Sequence, residues 1–411
     1  MNIAIISDIE SGGGASIAAN RLALGLLQAG VNVNRIVLIP DNKTHPWKTY
    51  PILQNYLGLY RRLQHRTRTH FFPISIFIQK HWIHKKIKRL LLKLNPDIIS
   101  LHNLHSGELW PSLAGICVEQ APTAWSLHDM WSFTGRCAVF NNDCRKFIDG
   151  CDETCPSPNE YPTLAPKFIN KSWKLRKQVL SSNPNLVAVT PSRWLAREAQ
   201  SGLWKNHQIE IIPHGIQLKI FEPLNKQLAR RALGVNVSGI VLGLASVDLE
   251  NKYKGTSIFL NAIQKTSIRP ITILTLGEGH LTLNIKDINI QSMGYIAHER
   301  SKALFYNSLD LFIHPSLGEA WGYTVLESIS CGTPVVGFPV GGLLDMVRPN
   351  KTGWLAANIS VEALTDTINQ AIQEINNDID LKQNCRSVAE VEYGLDLQAQ
   401  RYLHLFEEMT S

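Results

Sequence analysis

Glu319 and Glu327 enclose seven residues within the run 314–337, and Gly322 stands between them where a helix should begin. The amides of Tyr323, Thr324 and Val325 would then offer N–H groups to a phosphate. Glu319 falls in the loop ahead of that helix and Glu327 about one turn into it. Two carboxylates placed in this way can accept from different hydroxyls of one ligand while the helix end holds its phosphates. The bland reading is a pair of solvated glutamates flanking an apolar helix. Lys254, followed by Gly255, comes after a strand-like run and before a helical one. An ammonium there could neutralise a diphosphate, although a lysine considered alone is usually a surface residue. A glycine loop, Gly12-Gly13-Gly14, precedes the first helical run, and its backbone could approach an anion. It is no dinucleotide fingerprint, because Ile17 stands where the third glycine belongs, and no Gly-Lys-Ser/Thr follows it.

These residues need elements to hold them. Short apolar runs alternate with amphipathic stretches. Residues 2–7, 33–39, 97–102, 123–128 and 186–190 read as strands, and 16–29 as a helix. After Pro213 a second series begins, with strands expected at 240–247, 271–276, 310–314 and 334–338. Strands alternating with helices imply parallel sheets covered on both faces, and two such series imply two doubly wound (Rossmann-like) α/β domains. Such sheets bind ligands outside the carboxyl ends of their strands, which is where each motif falls. The expected division is 1–212, 213–390, and a last helix over 391–411 that crosses back to the first domain. With 411 residues, 44% hydrophobic and 18% charged, the chain is neither disordered nor low in complexity. No apolar run approaches the roughly 20 residues that span a bilayer, and the first residues lack a signal peptide's basic and apolar regions. A cytoplasmic protein is expected.

The 314–337 segment resembles the E-x7-E region of glycosyltransferase family 4, and Cys331-Gly332-Thr333-Pro334-Val335-Val336 resembles its continuation. Gly13-Gly14-Ala15, Leu127-His128-Asp129-Met130-Trp131, Thr190-Pro191-Ser192-Arg193-Trp194, Ile211-Ile212-Pro213-His214-Gly215-Ile216 and Gly277-Glu278-Gly279 are similar to further family segments, so the resemblance covers nearly the whole chain. It implies a GT-B fold, with two Rossmann-like domains facing across a cleft, and a retaining transferase that uses a nucleoside-diphosphate sugar. By resemblance, Lys254 contacts the donor diphosphate, Glu327 the ribose hydroxyls and Glu319 the donor sugar. The amides at Gly322, Tyr323 and Thr324 hold phosphate or sugar oxygens. Gly13 and Gly14 line the diphosphate side, and His128 sits near the donor sugar and the acceptor hydroxyl. His128, Glu319 and Lys254 form the implied catalytic set, with no metal or other cofactor needed for catalysis. A glycan or polyprenyl-linked acceptor, in surface or exopolysaccharide synthesis, is the implied partner. The sequence departs from the family at Asp248, where an Arg is usual, at His214, where Asn is usual, and at Gln217, where Asp is usual. A carboxylate cannot bind diphosphate, so a second cation must come from elsewhere; Lys252 is a candidate. An inactive sugar-nucleotide-binding homologue and a nucleotide-sugar 2-epimerase are the competing readings.

Cys137, Cys144, Cys151 and Cys155 form a C-x6-C-x6-C-x3-C series in a polar, turn-rich insertion at about 135–156. In a reducing compartment four close thiols favour a structural zinc over disulfides, while free thiols stay open; a similar cysteine-bearing loop occurs in family 4 members of exopolysaccharide pathways. The net charge of +7 is concentrated: no Asp or Glu lies between Asp41 and Asp97, and residues 61–93 carry ten Lys or Arg among aromatic and aliphatic residues. Such a stretch suits an anionic membrane surface on the cytoplasmic side, with a solvated helix face as the equal alternative. No nucleic-acid motif accompanies the charge.

Overall fold

The computed structural model describes residues 1–41, 43–53, 74–105, 109–139, 144–159, 161–235, 239–377 and 380–411, with backbone alone for 74–79. The chain divides into two compact units, Met1–Gly215 with Leu395–Ser411, and Ile216–Gly394. The break thus falls at Gly215 instead of 212, and the return segment starts at Leu395 instead of 391.

The first unit contains β1 (Asn2–Ile9), α1 (Gly14–Gln28), β2 (Asn32–Ile39), β3 (Lys48–Pro51), α2 (Ile74–Leu94), β4 (Ile98–Leu101), α3 (Leu113–Val118), β5 (Thr123–Ser126), α4 (Pro166–Ser181), β6 (Val187–Thr190), α5 (Arg193–Ser201) and β7 (Ile209–Ile211). Its seven strands run parallel in the order β3-β2-β1-β4-β5-β6-β7. The second unit contains α6 (Lys226–Ala232), β8 (Ile240–Asp248), α7 (Thr256–Lys265), β9 (Ile271–Glu278), β10 (Ile288–Ser292), α8 (Glu299–Ser308), β11 (Leu311–His314), α9 (Tyr323–Ser330), β12 (Val335–Gly337), α10 (Leu343–Met346), β13 (Gly353–Leu355), α11 (Val361–Asn376) and α12 (Lys382–Glu392). Its six strands are also parallel, in the order β10-β9-β8-β11-β12-β13.

Central strands are continuous apolar runs because helices cover both faces. Ile3, Ala4, Ile5 and Ile6 of β1 are fully buried, as are Leu311, Phe312 and Ile313 of β11. In each sheet the order reverses at its middle, between β1 and β4 and between β8 and β11. Crevices at such reversals are where open α/β sheets bind ligands. The loops leaving those four strands carry Gly12–Gly14, His102 and His105, Lys254, and Glu319.

The last helix, α13 (Leu395–Thr410), belongs to the first unit. Tyr402, Leu405 and Phe406 join the cluster around Ile3, Ile5, Leu22 and Leu26. Gly25 lets the two helices approach closely, since a Cβ there would stand 3.0 Å from the Leu395 carbonyl oxygen and 3.1 Å from the Ala399 Cβ. The buried Tyr402 hydroxyl shares a 2.9 Å hydrogen bond with the Ser126 hydroxyl at the end of β5.

Of the basic segment, Arg61, Arg62, Arg66 and Arg68 lie outside the described residues. In α2, Ile83, Ile87 and Leu91 form the buried stripe. Trp82, Lys85, Arg89, Leu92 and Lys93 lie on the exposed face. No described helix is long and apolar enough to cross a membrane.

Candidate active site

Lys254 and Glu319 are 65 positions apart in sequence, and the second unit brings them together. Residues 252–254 make one 3-10 turn that Asn251 caps through the Tyr253 N–H. Gly255 then turns left-handed (φ 68°), and any Cβ there would lie 1.8 Å from the Pro315 carbonyl oxygen. Only glycine lets this turn lie against the loop after β11. Two further bonds stitch the loops: Leu317 N–H donates to the Tyr253 carbonyl at 2.8 Å, and the Ser316 hydroxyl donates to the same oxygen at 3.2 Å. The result is a 2.8 Å charge-assisted hydrogen bond from Lys254 Nζ to Glu319 Oε2. His314 Nε2 lies 3.6 Å from the same oxygen. Burial works to raise the Glu319 pKa, but Lys254 and His314 overcome it and hold the carboxyl well below its ordinary range.

Three residues further on, Gly322 opens α9 with φ 100°, and no side chain caps the helix. The first intrahelical bonds run from the N–H groups of Val325 and Leu326 to the Gly322 carbonyl. The helix end is therefore an amide-rich, positive dipole end beside the Lys254–Glu319 pair. The Thr324 hydroxyl and His314 Nδ1 are 3.3 Å apart. Glu327 is buried, and its Oε2 accepts from the Tyr306 hydroxyl at 2.9 Å. Asp248, where an Arg is usual, accepts from the Glu250 N–H at 2.9 Å and so closes its own turn. The Lys252 ammonium sits 4.9 Å from the centre of the Tyr253 ring.

In the first unit, Gly13 precedes α1 with φ 100° and no side-chain cap, and Gly13 and Gly14 are exposed. His128 follows β5. Its Nε2 is 2.9 Å from His102 Nδ1 and its Nδ1 is 3.3 Å from His214 Nε2, so both ring nitrogens are engaged. His102 Nε2 continues the chain to the Ser100 hydroxyl at 3.2 Å. Burial pushes His128 down to about 4 and His102 and His214 well below the ordinary value, so this chain of imidazoles is neutral near pH 7. Next to it stands a histidine–carboxylate pair: His105 Nε2 meets Asp129 Oδ2 at 2.7 Å. Burial opposes both charges, yet Asp129 raises the His105 pKa and His105 lowers that of Asp129. Sequence reasoning named His128 and missed its partner His102 and the His105–Asp129 pair beside it. It noted His214 only as a departure. No spacing rule links residues that follow different strands of one sheet.

Between Trp131 and Ala165 the described residues form no helix or strand. Arg176 anchors this insertion by donating to the Trp131 carbonyl at 2.6 Å while its guanidinium stacks 4.0 Å from the Trp131 ring centre. The Trp173 indole N–H donates to the Phe147 carbonyl at 3.1 Å. Cys137, Cys144, Cys151 and Cys155 are free thiols. Burial raises Cys137 to about 12, with Arg136 opposing and the other three thiols adding to the rise. A closed four-thiolate zinc site needs sulfurs roughly 3.8 Å apart, given Zn–S of about 2.3 Å. Among the described residues, the three-ligand group gathered within 4.8 Å is Glu10, Asp41 and His45, and the cysteine sulfurs do not form one. As they stand the thiols do not fit a closed tetrahedron; an ion would have to draw them together.

Two parallel doubly wound units, each with its functional loops at the sheet's reversal, define a GT-B glycosyltransferase architecture. Residues 12–219 match the family model Glycosyltransferase Family 4, and residues 240–374 match Glycosyl transferases group 1. The chain belongs to glycosyltransferase family 4. It is 25% identical over 228 residues to a D-inositol 3-phosphate glycosyltransferase of Paenarthrobacter aurescens, covering 52% of this chain and 54% of that one. It is 22% identical over 335 residues to the same-named protein of Corynebacterium urealyticum, covering 77% and 72%. The match thus spans about half of the first relative's length. Among solved structures, sucrose-phosphate synthase from Thermosynechococcus elongatus superimposes with a TM-score of 0.73 at 18% identity, over 99% of this chain and 98% of that one. Anabaena HepE in complex with UDP-glucose superimposes with a TM-score of 0.65 at 14% identity, over 99% and 100%.

Proposed function

We propose that this protein transfers a glycosyl group, with retention of configuration, from a nucleoside-diphosphate sugar to a glycan or lipid-linked acceptor in surface polysaccharide synthesis. The observation that carries the reading is the Lys254–Glu319 pair beside the open N-terminus of α9. A departing diphosphate gains charge as the glycosidic bond breaks, and an ammonium with oriented amides stabilises that charge. Lys254 is pre-positioned by the Gly255 turn and exchanges part of its contact with Glu319 for the phosphate. Glu319 is then available to the donor sugar's hydroxyls, and Glu327, held by Tyr306, to the ribose. The leaving phosphate takes the acceptor's proton on the same face that the acceptor attacks. The complex of HepE with UDP-glucose supports a UDP-linked donor; GDP-linked donors are tested beside it.

A thermal-shift screen over nucleotide sugars identifies the donor, because a cognate ligand raises stability by mass action. Slow hydrolysis of that donor, abolished by Lys254→Ala, supports the transferase. Release of an isomerised UDP-sugar without hydrolysis points to the epimerase. Donor binding with no turnover points to an inactive homologue, the reading that Asp248 favours because its carboxylate occupies the usual Arg position. The exposed Trp82, Lys85, Arg89, Leu92 and Lys93 face of α2 supports docking on an anionic membrane; failure to float with anionic vesicles at low salt removes that part. Structural zinc on the four-cysteine insertion is a separate proposal. Metal analysis of the purified chain, against a variant with all four cysteines changed to serine, decides it.

A further inference from the structure

Glu10 immediately follows β1, its N–H still paired with the Ile39 carbonyl of β2, while Asp41 and His45 lie in the loop between β2 and β3. Their ligand atoms, one from each residue, all lie within 4.8 Å of one another. His45 Nε2 is 2.9 Å from Asp41 Oδ1 and 3.7 Å from Glu10 Oε1. The side chains of Glu10, Asp41 and His45 are only 2%, 10% and 14% exposed, so this is not a solvated acidic patch. Each group is also held from behind. Thr49 donates its hydroxyl to Glu10 Oε1 at 2.5 Å, and the Asp41 N–H donates to Glu10 Oε2 at 3.1 Å. The His45 ring stacks on Trp47 with centroids 4.7 Å apart and planes 11° from parallel.

One oxygen stands apart. The Asp41 carboxyl is drawn on by the Ser11 hydroxyl and its Oδ1 accepts from the Lys43 N–H at 3.0 Å, but Oδ2 is buried and has no well-formed hydrogen bond among the described residues. An ionised carboxylate oxygen in that state calls for a cation. The buried Arg35 guanidinium is drawn on electrostatically by Glu10 and Asp8. It donates to the Ser7 hydroxyl and to the Asn20 side-chain oxygen. Glu10 thus faces both the Arg35 guanidinium, which it shares with Asp8, and the His45 imidazole, which it shares with Asp41.

We propose that Glu10, Asp41 and His45 bind a divalent transition-metal cation of the zinc–manganese class at the carboxyl end of the first unit's sheet. Nitrogen and oxygen ligands bind such ions at roughly 2.0–2.2 Å, which puts neighbouring ligand atoms about 3–3.6 Å apart. The two distances to His45 Nε2 bracket that interval. One imidazole with two carboxylates suits zinc, manganese or iron(II) over calcium or magnesium, which prefer all-oxygen sites. Asp41 supplies a carboxylate oxygen, Oδ1 being the one 2.9 Å from His45 Nε2, while Thr49 holds Glu10 and Trp47 holds His45 in orientation. Bound there, the ion ties the loop after β2 to the end of β1, next to the glycine loop that opens α1. The site is structural, and no step of sugar transfer is routed through it.

The full-length chain, stripped with a chelator, is titrated with Mn2+ and followed by loss of the free-ion electron paramagnetic resonance signal. Manganese is used because it takes oxygen and nitrogen ligands and avoids the four thiols of the insertion. The expected result is one class of site, weakened more than about tenfold in Asp41→Asn and in His45→Gln, together with a metal-dependent rise in melting temperature that both variants lose. Wild-type protein that leaves the Mn2+ signal unchanged overturns the proposal whether or not the variants fold. So does binding of equal strength in wild type and both variants. Cys137→Ser serves as the control and leaves Mn2+ binding unchanged.

Discussion

Replacing Lys254 by methionine keeps the unbranched stem but removes the terminal ammonium and its charge, and two magnitudes then separate. At 2.8 Å from Glu319, with an effective dielectric constant of about 20, the gross attraction is about 6 kcal/mol. Most of that is offset by desolvation and lost rotamer freedom. With the side chains of Lys254 and Glu319 34% and 20% exposed, screening leaves a net worth nearer ~1 kcal/mol. The variant should thus melt only a few degrees lower. Donor turnover should fall by roughly 10²–10³ in kcat, the loss typical for one preorganised electrostatic group at a leaving charge. Unfolding cannot produce that loss, because a domain of ordinary stability, about 5–15 kcal/mol, stays folded after losing ~1 kcal/mol. The stability difference also has a pH signature. Glu319 is held below its unfolded value of 4.5, so its contribution is complete above that value and is lost as pH falls through the lower folded value. The melting gap between wild type and variant is therefore widest near neutral pH and narrows on acidification. Release of nucleoside diphosphate by the wild type and by Lys254→Met, alongside melting curves from pH 3 to 8, tests both parts. A variant within tenfold of wild-type kcat, or a gap that widens in acid, refutes the assignment.

Gly255→Ala puts a Cβ into the Pro315 carbonyl at a left-handed position, and urea unfolding should show a loss of at least about 1–3 kcal/mol with turnover falling alongside. Asp129→Asn removes the largest influence that lifts His105 and leaves burial and Arg176 opposed by Asp8, so the His105 titration followed by NMR should move down. In the wild type that raised pKa stabilises the fold below pH 6.5 and the benefit is lost as pH rises through the folded value, a trend the variant should lack. Tyr402→Phe strips the buried hydroxyl bond to Ser126 and should cost about 1–2 kcal/mol by denaturant unfolding, without altering donor binding in the second unit.

The strands that sequence reading placed are the interior ones, and the four it missed are all sheet edges: β3, β7, β10 and β13. The cause is physical. Three of the edges are covered less completely: Lys48–Pro51, Ile209–Ile211 and Ile288–Ser292 contain no fully buried residue and lack the continuous apolar run that marks a strand buried on both faces, while Gly353–Leu355 is largely buried but only three residues long. The candidate site divides in a similar way. Local chemistry was legible: Gly322 at the head of a helix, the glycine turn after Lys254 and the two glutamates seven residues apart. Convergence was not. Nothing in the spacing of Lys254 and Glu319 places their charges in contact; Gly255 against Pro315 does, and that needs the fold. The meeting of His102, His128 and His214 is invisible for the same reason, since they follow β4, β5 and β7 and only the sheet gathers them. The Glu10, Asp41 and His45 cluster, formed across adjacent strand ends, gives no linear signal either.

That gathering changes what His128 can do. Resemblance places it near the acceptor hydroxyl, which suggests a proton acceptor. A neutral imidazole has one lone pair and one N–H, and here His102 and His214 take up both. His128 can accept a further proton only after releasing one of them, and burial, which already depresses its pKa, disfavours the resulting cation. Its two partners are equally buried and equally averse to charge. On the proposed transfer, the chain of imidazoles would serve as a positioning device that fixes the ring after β5, and the leaving phosphate of that proposal would take the acceptor's proton. The family's usual Asn at position 214 fits this account, because an amide can hold His128 Nδ1 without titrating. His214→Asn should leave kcat within about tenfold and its pH profile unmoved, whereas a general-base role for His128 requires the acidic limb of that profile to shift when the ring's neighbour changes.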